Sequence, residues 1–305
     1  MNSSLQILER LLDGCVWIFS RHTVYKIAHV LGSMLYVGVL RRLRKHESGA
    51  IQDALGVPKI EANKIALHGF LNTCTFLVDY QFLAIKSDQK VFELIKTVEI
   101  EGLDNLQESL NSNRPLVLIS IHMDSFLIGL LRLCEFTPKN RPITVIKLQP
   151  IRKKEIEAYK KFNRLGAALS VLRLRDKPAL ETLKELRNGN IVLVLCDVDP
   201  QLGKTVDVSF LEKPSQFSSG PIELAIAAKA IMMPFVVIRD TKSPYEKHIL
   251  KMEKPIDPLA FSTPQFSEKT RQMTQELAST VESWITASPN QWQTWGVLPA
   301  MWSKK

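Results

Sequence analysis

The fold is decided by the stretch LVLISIHMDSFLIGLL, residues 116–131. A short apolar run rich in β-branched residues leads directly into His122 and Asp124, and a second apolar run follows. The first run is typical of a buried strand, and the second predicts a helix over 124–134. Because ligands bind beyond the carboxyl ends of the strands in α/β sheets, the polar residues between the two runs indicate a functional site.

Similar runs recur along the chain and alternate with helical stretches. The strand-like runs are TVEIEG (97–102), PLVLISI (115–121), PITVIK (142–147), NIVLVLC (190–196) and MMPFVVI (232–238). The helical stretches are 124–134, 152–165, 177–188, 221–230 and 268–287. This alternation predicts an α/β fold, with a mainly parallel twisted sheet that helices cover on both faces.

Residues 1–95 predict a helical N-terminal extension, which precedes a single α/β unit over 96–305. Within the extension, Ile27–Leu40 is apolar and about 21 Å long as a helix, short of the roughly 30 Å hydrocarbon core of a bilayer. The basic cluster RRLRK, residues 41–45, follows at once. This combination favours a membrane-associated helix lying in the cytoplasmic interface. A buried helix with a solvated basic end is the alternative.

Composition narrows the classes of partner. The 305 residues are 45% hydrophobic, enough for a full core, and 40 basic against 31 acidic residues give a net charge of +9. That excess favours an anionic partner such as an acidic protein, a phosphorylated ligand or a membrane surface. Nucleic acid is not predicted, since no recognised binding motif is present. The four cysteines have no CxxC spacing, so neither a zinc site nor a disulfide framework is indicated.

The candidate catalytic residues are His122 and Asp124. A histidine at the end of a strand is suited to general base catalysis, because its unperturbed pKa lies near neutral. Asp124 could instead be the N-cap of the following helix. Asp197 and Asp199, in LCDVDPQLGK, follow another strand and reach the same crevice if the two strands are neighbours. They could also be turn residues, and one Asp-x-Asp pair is too little to predict a metal.

Further residues are candidates for substrate binding. Gly220 precedes Pro221 as the predicted N-cap of a helix whose exposed N–H groups suit an anion, although this is also ordinary helix-start chemistry. The segment 147–175 concentrates lysine and arginine and is either a solvated helix or a docking surface for an acidic thioester carrier. The predicted substrate-binding set is Arg173, Arg175, Asp197, Asp199, Lys204 and Gly220.

The order of these motifs resembles the late lipid A biosynthesis acyltransferases, within the lysophospholipid acyltransferase superfamily. The similar segments are RRLRK (41–45), LISIHMDSF (118–126), LRDKPALETLKELRNGNIVLVLCDVDP (174–200), VDVSFLEKPSQFSSGPIELAIAAKAIMMPFVVIRD (206–240) and SPNQWQTW (288–295). The resemblance implies transfer of an acyl group from a thioester on acyl carrier protein or CoA to a hydroxyl of a membrane lipid such as lipid A. It also implies the cytoplasmic face of a bacterial inner membrane and no cofactor.

In the family, a histidine deprotonates the hydroxyl and a carboxylate five positions later orients the imidazole. The histidine corresponds to His122, but the later position is Leu127, which holds no charge. We expect Asp124 to replace the carboxylate, with the Asp197/Asp199 turn as second choice. Two other hypotheses stay open, an aminoacyl transferase that uses a carrier-bound amino acid and a catalytically inactive lipid-binding homologue.

Overall fold

The structure is a computed structural model that describes residues 12–147, 153–173, 178–240 and 247–302. Arg175 lies outside these ranges. The helices are α1 (Arg21–Gly38), α2 (Arg41–Leu55), α3 (Lys59–Ile85), α4 (Asp88–Lys96), α5 (Leu103–Asn111), α6 (Phe126–Cys134), α7 (Lys153–Arg164), α8 (Pro178–Arg187), α9 (Gly220–Ala228), α10 (Phe266–Ala287) and α11 (Leu298–Met301). The strands are β1 (Glu99–Glu101), β2 (Leu116–Ser120), β3 (Ile143–Lys147), β4 (Leu169–Arg173), β5 (Ile191–Leu195), β6 (Thr205–Phe210), β7 (Lys213–Ser218), β8 (Ile231–Arg239) and β9 (His248–Met252).

Seven strands form one sheet in the order β1-β9-β8-β2-β5-β3-β4. All neighbours are parallel except β8 and β9, which are antiparallel. The predicted α/β fold with a mainly parallel sheet is therefore confirmed. The sequence runs do not predict β4, β9 or the separate hairpin β6–β7. In these strands buried and more exposed residues are interspersed, so they lack the continuous apolar run of a strand covered on both faces.

The sheet separates two hydrophobic layers. Val117 and Ile119 of β2 point into one layer, where they share a cluster with residues of α10. Leu116 and Leu118 point into the other, together with the apolar side chains of α6. Because β2 is buried at every position, its register relative to both layers is fixed. The loop that follows β2 is therefore anchored by packing on both faces of the sheet.

The carboxyl ends of β2 and β5 lie side by side. The two strands are parallel neighbours, and the register pairs Ser120 with Leu195. His122 and Asp197 each stand two residues beyond these paired positions. Equal offsets from a parallel register bring their side chains to the same edge of the sheet.

The N-terminal helices pack against one another, with α3 in contact with α1 and α2. Within the described part of the chain, no single helix has both the length and the apolar composition needed to cross a bilayer. Taken together α1 and α2 would pass on those two criteria, but they are bent by 91° relative to each other. Tyr36 of α1 donates a hydrogen bond to Glu47 of α2 at 2.7 Å, which ties the two arms of the bend.

Gly129 of α6 is required for close packing against β8. An added Cβ would lie 2.2 Å from Cγ2 of Val237, well inside van der Waals contact. We expect Gly129→Ala to lower the free energy of unfolding by about 1–3 kcal/mol, because overpacking forces α6 away from the sheet. Urea denaturation followed by circular dichroism measures this.

Gly49 of α2 provides the matched control, since nothing lies within 4 Å of its added Cβ. Gly49→Ala should raise the free energy of unfolding by about 0.5–1 kcal/mol, because alanine loses less backbone entropy in a helix than glycine does. If the two substitutions change the free energy of unfolding equally, the close contact of Gly129 with Val237 does not account for the effect of Gly129→Ala.

Candidate active site

His122 and Asp197 form a hydrogen-bonded pair at the edge of the sheet. Nδ1 of His122 lies 2.8 Å from Oδ1 of Asp197, and the backbone N–H of His122 donates to Oδ2 at 2.9 Å. The carboxylate is buried, whereas the imidazole side chain is 41% exposed. With Nδ1–H donated to the carboxylate, Nε2 is free to accept a proton from a bound substrate.

Two further donors complete the surroundings of Asp197. The indole N–H of Trp292 and the hydroxyl of Thr294 both donate to Oδ2, at 2.9 and 2.7 Å. A buried carboxylate must be satisfied by hydrogen bonds or it would take up a proton. The sequence analysis did not identify Trp292 and Thr294 as functional residues, although both lie in the SPNQWQTW segment that carries the family resemblance.

The electrostatics of the pair favour an ionised carboxylate beside a basic imidazole. Burial lowers the pKa of His122, but the charge and hydrogen bond of Asp197 outweigh it, so that the pKa of His122 is raised above its ordinary 6.5. Burial raises the pKa of Asp197, but the charge and hydrogen bond of His122, with the hydrogen bonds from Thr294 and Trp292, outweigh it and lower that pKa. Asp197 therefore stabilises the imidazolium that forms when His122 accepts a proton.

The backbone around His122 is paired with the segment 291–294. The backbone N–H of Gln293 donates to the carbonyl of His122 at 3.0 Å, and its side-chain amide donates to the carbonyl of Asp124 at 2.8 Å. The N–H of Asp124 donates to the carbonyl of Gln291 at 3.3 Å. The loop that carries His122 is thus attached covalently to β2 and is also held by hydrogen bonds to the segment 291–294.

Asp124 does not take the position beside the imidazole, contrary to its expected ranking as the first substitute for the carboxylate missing at Leu127. Its side chain is fully buried, where Oδ1 accepts a hydrogen bond from Arg239 and Oδ2 from Nδ1 of His248 at 2.6 Å. Burial raises the pKa of Asp124, but Arg239 and His248 outweigh it and lower the pKa to about 2. The structure thus assigns Asp124 to a buried ion pair and Asp197 to His122, while Leu127 is a core residue.

The remaining predicted residues of the 199–220 region have contacts typical of turns and helix starts. Asp199 accepts a hydrogen bond from the N–H of Gln201 at 2.9 Å and caps the 3-10 turn Pro200–Leu202. Lys204 is exposed and forms an ion pair with Glu223 at 3.3 Å. The predicted N-cap Gly220 is instead the first helical residue, because Ser219 is the N-cap and its hydroxyl donates to Glu223 at 2.9 Å.

The basic segment 147–175 is only partly a surface. Lys147 ends β3 and pairs in register with Arg173, which ends β4 and is exposed. Lys161 lies in this segment but is only 4% exposed, and its ammonium donates to the carbonyl of Lys86. The face of α7 that carries Lys161 packs against α3, so Lys161 is excluded from a docking surface. Within the described ranges, no group of three or more His, Cys, Asp or Glu residues is placed to hold a metal ion.

The chain is similar to the crystal structure of the 1-acyl-sn-glycerophosphate (LPA) acyltransferase PlsC from Thermotoga maritima, at 14% identity and a TM-score of 0.38, with 88% of this chain and 98% of PlsC covered. Curated protein sequences give no match. The sequence model for bacterial lipid A biosynthesis acyltransferases matches residues 15–295. This match covers almost the whole chain, which therefore belongs to the bacterial lipid A biosynthesis acyltransferase family and is an acyltransferase acting on lipids.

Proposed function

We propose that this protein transfers an acyl group from a thioester to a hydroxyl of a membrane lipid such as lipid A, with His122 as the general base. The observation that carries the proposal is the pairing of His122 with the buried Asp197 at 2.8 Å. A base that is partly exposed and oriented by a buried carboxylate is what deprotonation of a substrate hydroxyl requires. A protein that only binds lipid has no need for such a pair, which argues against the inactive homologue.

The proposed reaction follows from the two ring nitrogens. Nε2 of His122 accepts the proton of the lipid hydroxyl as its oxygen attacks the thioester carbonyl, while Nδ1–H stays bonded to Asp197. The tetrahedral intermediate collapses, the carbon–sulfur bond breaks, and the thiolate takes the proton from the imidazolium. The product is an ester and a free thiol. Acid–base catalysis of this kind contributes about 10²–10⁴-fold to the rate.

The donor is proposed to be a thioester on acyl carrier protein or on CoA. Lys147 and Arg173 support this, because they end adjacent parallel strands at the edge that also carries the His122–Asp197 pair. The positive charge of Lys147 also acts to lower the pKa of His122. Both kinds of donor carry phosphate, so cations beside the base would attract them.

The site is proposed to work at a membrane surface, on the cytoplasmic face of a bacterial inner membrane. Large apolar side chains before, in and directly after α1 are between 44% and 73% exposed, namely Trp17, Ile18, Phe19, Val30, Leu31, Met34, Leu35, Val37 and Val39. Large apolar side chains exposed in such a concentration, together called the apolar surface here, are rarely left in water. The basic cluster 41–45 begins α2 directly beyond it, at the level where lipid phosphates would lie.

The first test of the proposed function is His122→Ala. Removing the base should lower acyl transfer by about 10²–10⁴-fold. Mass spectrometry of membrane lipids from cells with and without the active protein measures the group transferred. A fatty acyl mass supports the proposal, whereas an aminoacyl mass would establish the alternative donor. His68→Ala, at an exposed position on α3, is the control. Wild-type transfer by a folded His122→Ala protein would exclude His122 as the base.

The pH dependence provides a second test. The base must be unprotonated, so kcat/KM should rise with pH through a pKa that lies above 6.5, because Asp197 raises the pKa of His122. Asp197→Asn removes that charge, so the rise should move to lower pH while the plateau falls by about 10²–10⁴-fold. NMR titration of the His122 ring should show the same downward shift of its pKa without any substrate.

Asp199→Asn is the matched control, since the same change occurs two residues away on a carboxylate that caps a turn. It should leave both the pKa of His122 and the pH profile of kcat/KM unchanged. If the pH profile moves with Asp199→Asn and not with Asp197→Asn, the carboxylate that orients His122 is Asp199, and the assignment to Asp197 is wrong.

Membrane docking predicts a third result. Replacing Leu31 and Met34 by Gln should weaken cosedimentation with phosphatidylglycerol–phosphatidylethanolamine vesicles by about tenfold or more, since each side chain loses part of about 1.5–3 kcal/mol of apolar burial. Leu180→Gln with Leu259→Gln is the control, because these leucines are similarly exposed outside the apolar surface. If both double variants bind vesicles equally, α1 is not the docking surface.

A further inference from the structure

We propose that a buried ionic network makes the loop carrying His122 depend on the position of α1, so that lipid docking of α1 rigidifies this loop. The network consists of Tyr25, Asp79, Asp124, Ser125, Arg239 and His248, with Arg21 and Thr75 at its margin. Asp79 and Asp124 act in it as positioning residues, since neither carboxylate contacts the His122 ring. The catalytic meaning of the network rests on the proposed function, whereas its mechanical link can be measured without any reaction.

Asp79 of α3 connects α1 to the loop. Its carboxylate is 1% exposed and accepts hydrogen bonds from two hydroxyls, that of Tyr25 on Oδ1 and that of Ser125 on Oδ2. Tyr25 lies on α1, and Ser125 is three residues beyond His122. Arg21 of α1 and Arg239 of β8 each lie 3.7 Å from the same carboxylate. One buried group is therefore shared by α1, the sheet and the loop.

Asp124 connects the loop to the sheet. Besides its bond to Arg239, it accepts a hydrogen bond from His248 of β9 at 2.6 Å. The backbone of Asp124 has a φ of +44°, in the left-handed region that residues other than glycine adopt uncommonly. Arg239 also donates to the hydroxyl of Thr75 at 2.7 Å. The backbone two residues from His122 is thus held by ion pairs of Asp124 to two strands, and Arg239 links it further to α3 through the Thr75 hydroxyl.

The network serves geometry more than stability. Burying ionised groups is costly, and well-packed apolar side chains would stabilise the fold as well or better. Directional hydrogen bonds to the two carboxylates instead fix the positions of Asp124 and Ser125. They thereby fix the position of the loop that carries His122. Removal of one bond leaves a buried carboxylate short of a partner, which opens the loop.

Two faces of α1 link the network to the membrane. Tyr25 is on the buried face, in contact with α3, and Leu31 and Met34 are on the exposed face. A bilayer that takes up the exposed face restrains the whole helix, and with it the Tyr25 hydroxyl on Asp79. Coupling of this kind is reciprocal, so a loop that is held in place also favours the docked helix.

The experiment is hydrogen exchange of the backbone amides of residues 121–127, with and without phosphatidylglycerol–phosphatidylethanolamine vesicles. Vesicles should slow exchange in the wild-type protein by about tenfold. Tyr25→Phe should speed exchange about tenfold without vesicles, the scale expected for loss of a hydrogen bond to a charged group. In this variant, vesicles should change exchange less than about twofold.

Tyr36→Phe is the matched control. Tyr36 is also on α1, is also fully buried, and also donates to a carboxylate, but that carboxylate is Glu47 of α2. Its exchange in residues 121–127 should equal that of the wild-type protein in both conditions. If Tyr25→Phe and Tyr36→Phe exchange at the same rate, the link through Asp79 is overturned. If bound vesicles do not change the exchange rate of the wild-type protein, the dependence on docking is overturned.

A second variant covers the case in which Tyr25→Phe does not fold. Ser125→Ala breaks the same bridge from the loop side and should also speed exchange about tenfold. In an acyl-transfer assay it should lower kcat several-fold, with KM and the pH profile unchanged, unlike Asp197→Asn. Unchanged loop exchange in Ser125→Ala overturns the proposal. If the wild-type protein transfers no acyl group, the proposed function is refuted. The exchange measurements would still test the mechanical link between α1 and the loop.

Discussion

The structure depends on one buried charge, the carboxylate of Asp197. It accepts four hydrogen bonds, two from His122, one from Trp292 and one from Thr294. An ionised group taken out of water without such partners would cost several kcal/mol. The carboxylate of Asp197 is therefore stable as an ion where the strand ends of β2 and β5 meet the segment 291–294. The same requirement that assembles these three elements leaves an imidazole partly exposed and oriented.

The replacement of the family carboxylate at Leu127 has a simple geometric basis. The resemblance implies a carboxylate five positions after the histidine, whereas here the carboxylate that contacts the imidazole follows the neighbouring parallel strand. Here β2 and β5 are paired so that His122 and Asp197 have the same offset beyond the strands. The helix position then becomes free for packing, and Leu127 joins the apolar layer under the sheet. The pairing of strands thus brings a carboxylate to His122 from a position 75 residues later in the chain.

Sequence reasoning predicted the strands that are continuously apolar, because β2, β3, β5 and β8 are largely or wholly buried. From those strands it predicted that His122 and the Asp197 turn would share a crevice if β2 and β5 were neighbours, and the structure shows that they are. It ranked Asp124 above Asp197 because Asp124 is nearer in the chain. The partners that draw Asp124 away, Arg239 and His248, come from strands more than a hundred residues later. Competition among buried charges for partners is a tertiary effect that local spacing does not reveal.

The contact of Trp292 and Thr294 with Asp197 also sets an order in time. A ribosome synthesises His122 and Asp197 long before it adds the indole and the hydroxyl that complete the surroundings of the carboxylate. A nascent chain thus contains both members of the pair without the environment that keeps Asp197 charged and in place. The environment of Asp197 is complete only when the late segment contacts the strand ends, so incomplete translation products lack two of the four hydrogen bonds to this carboxylate.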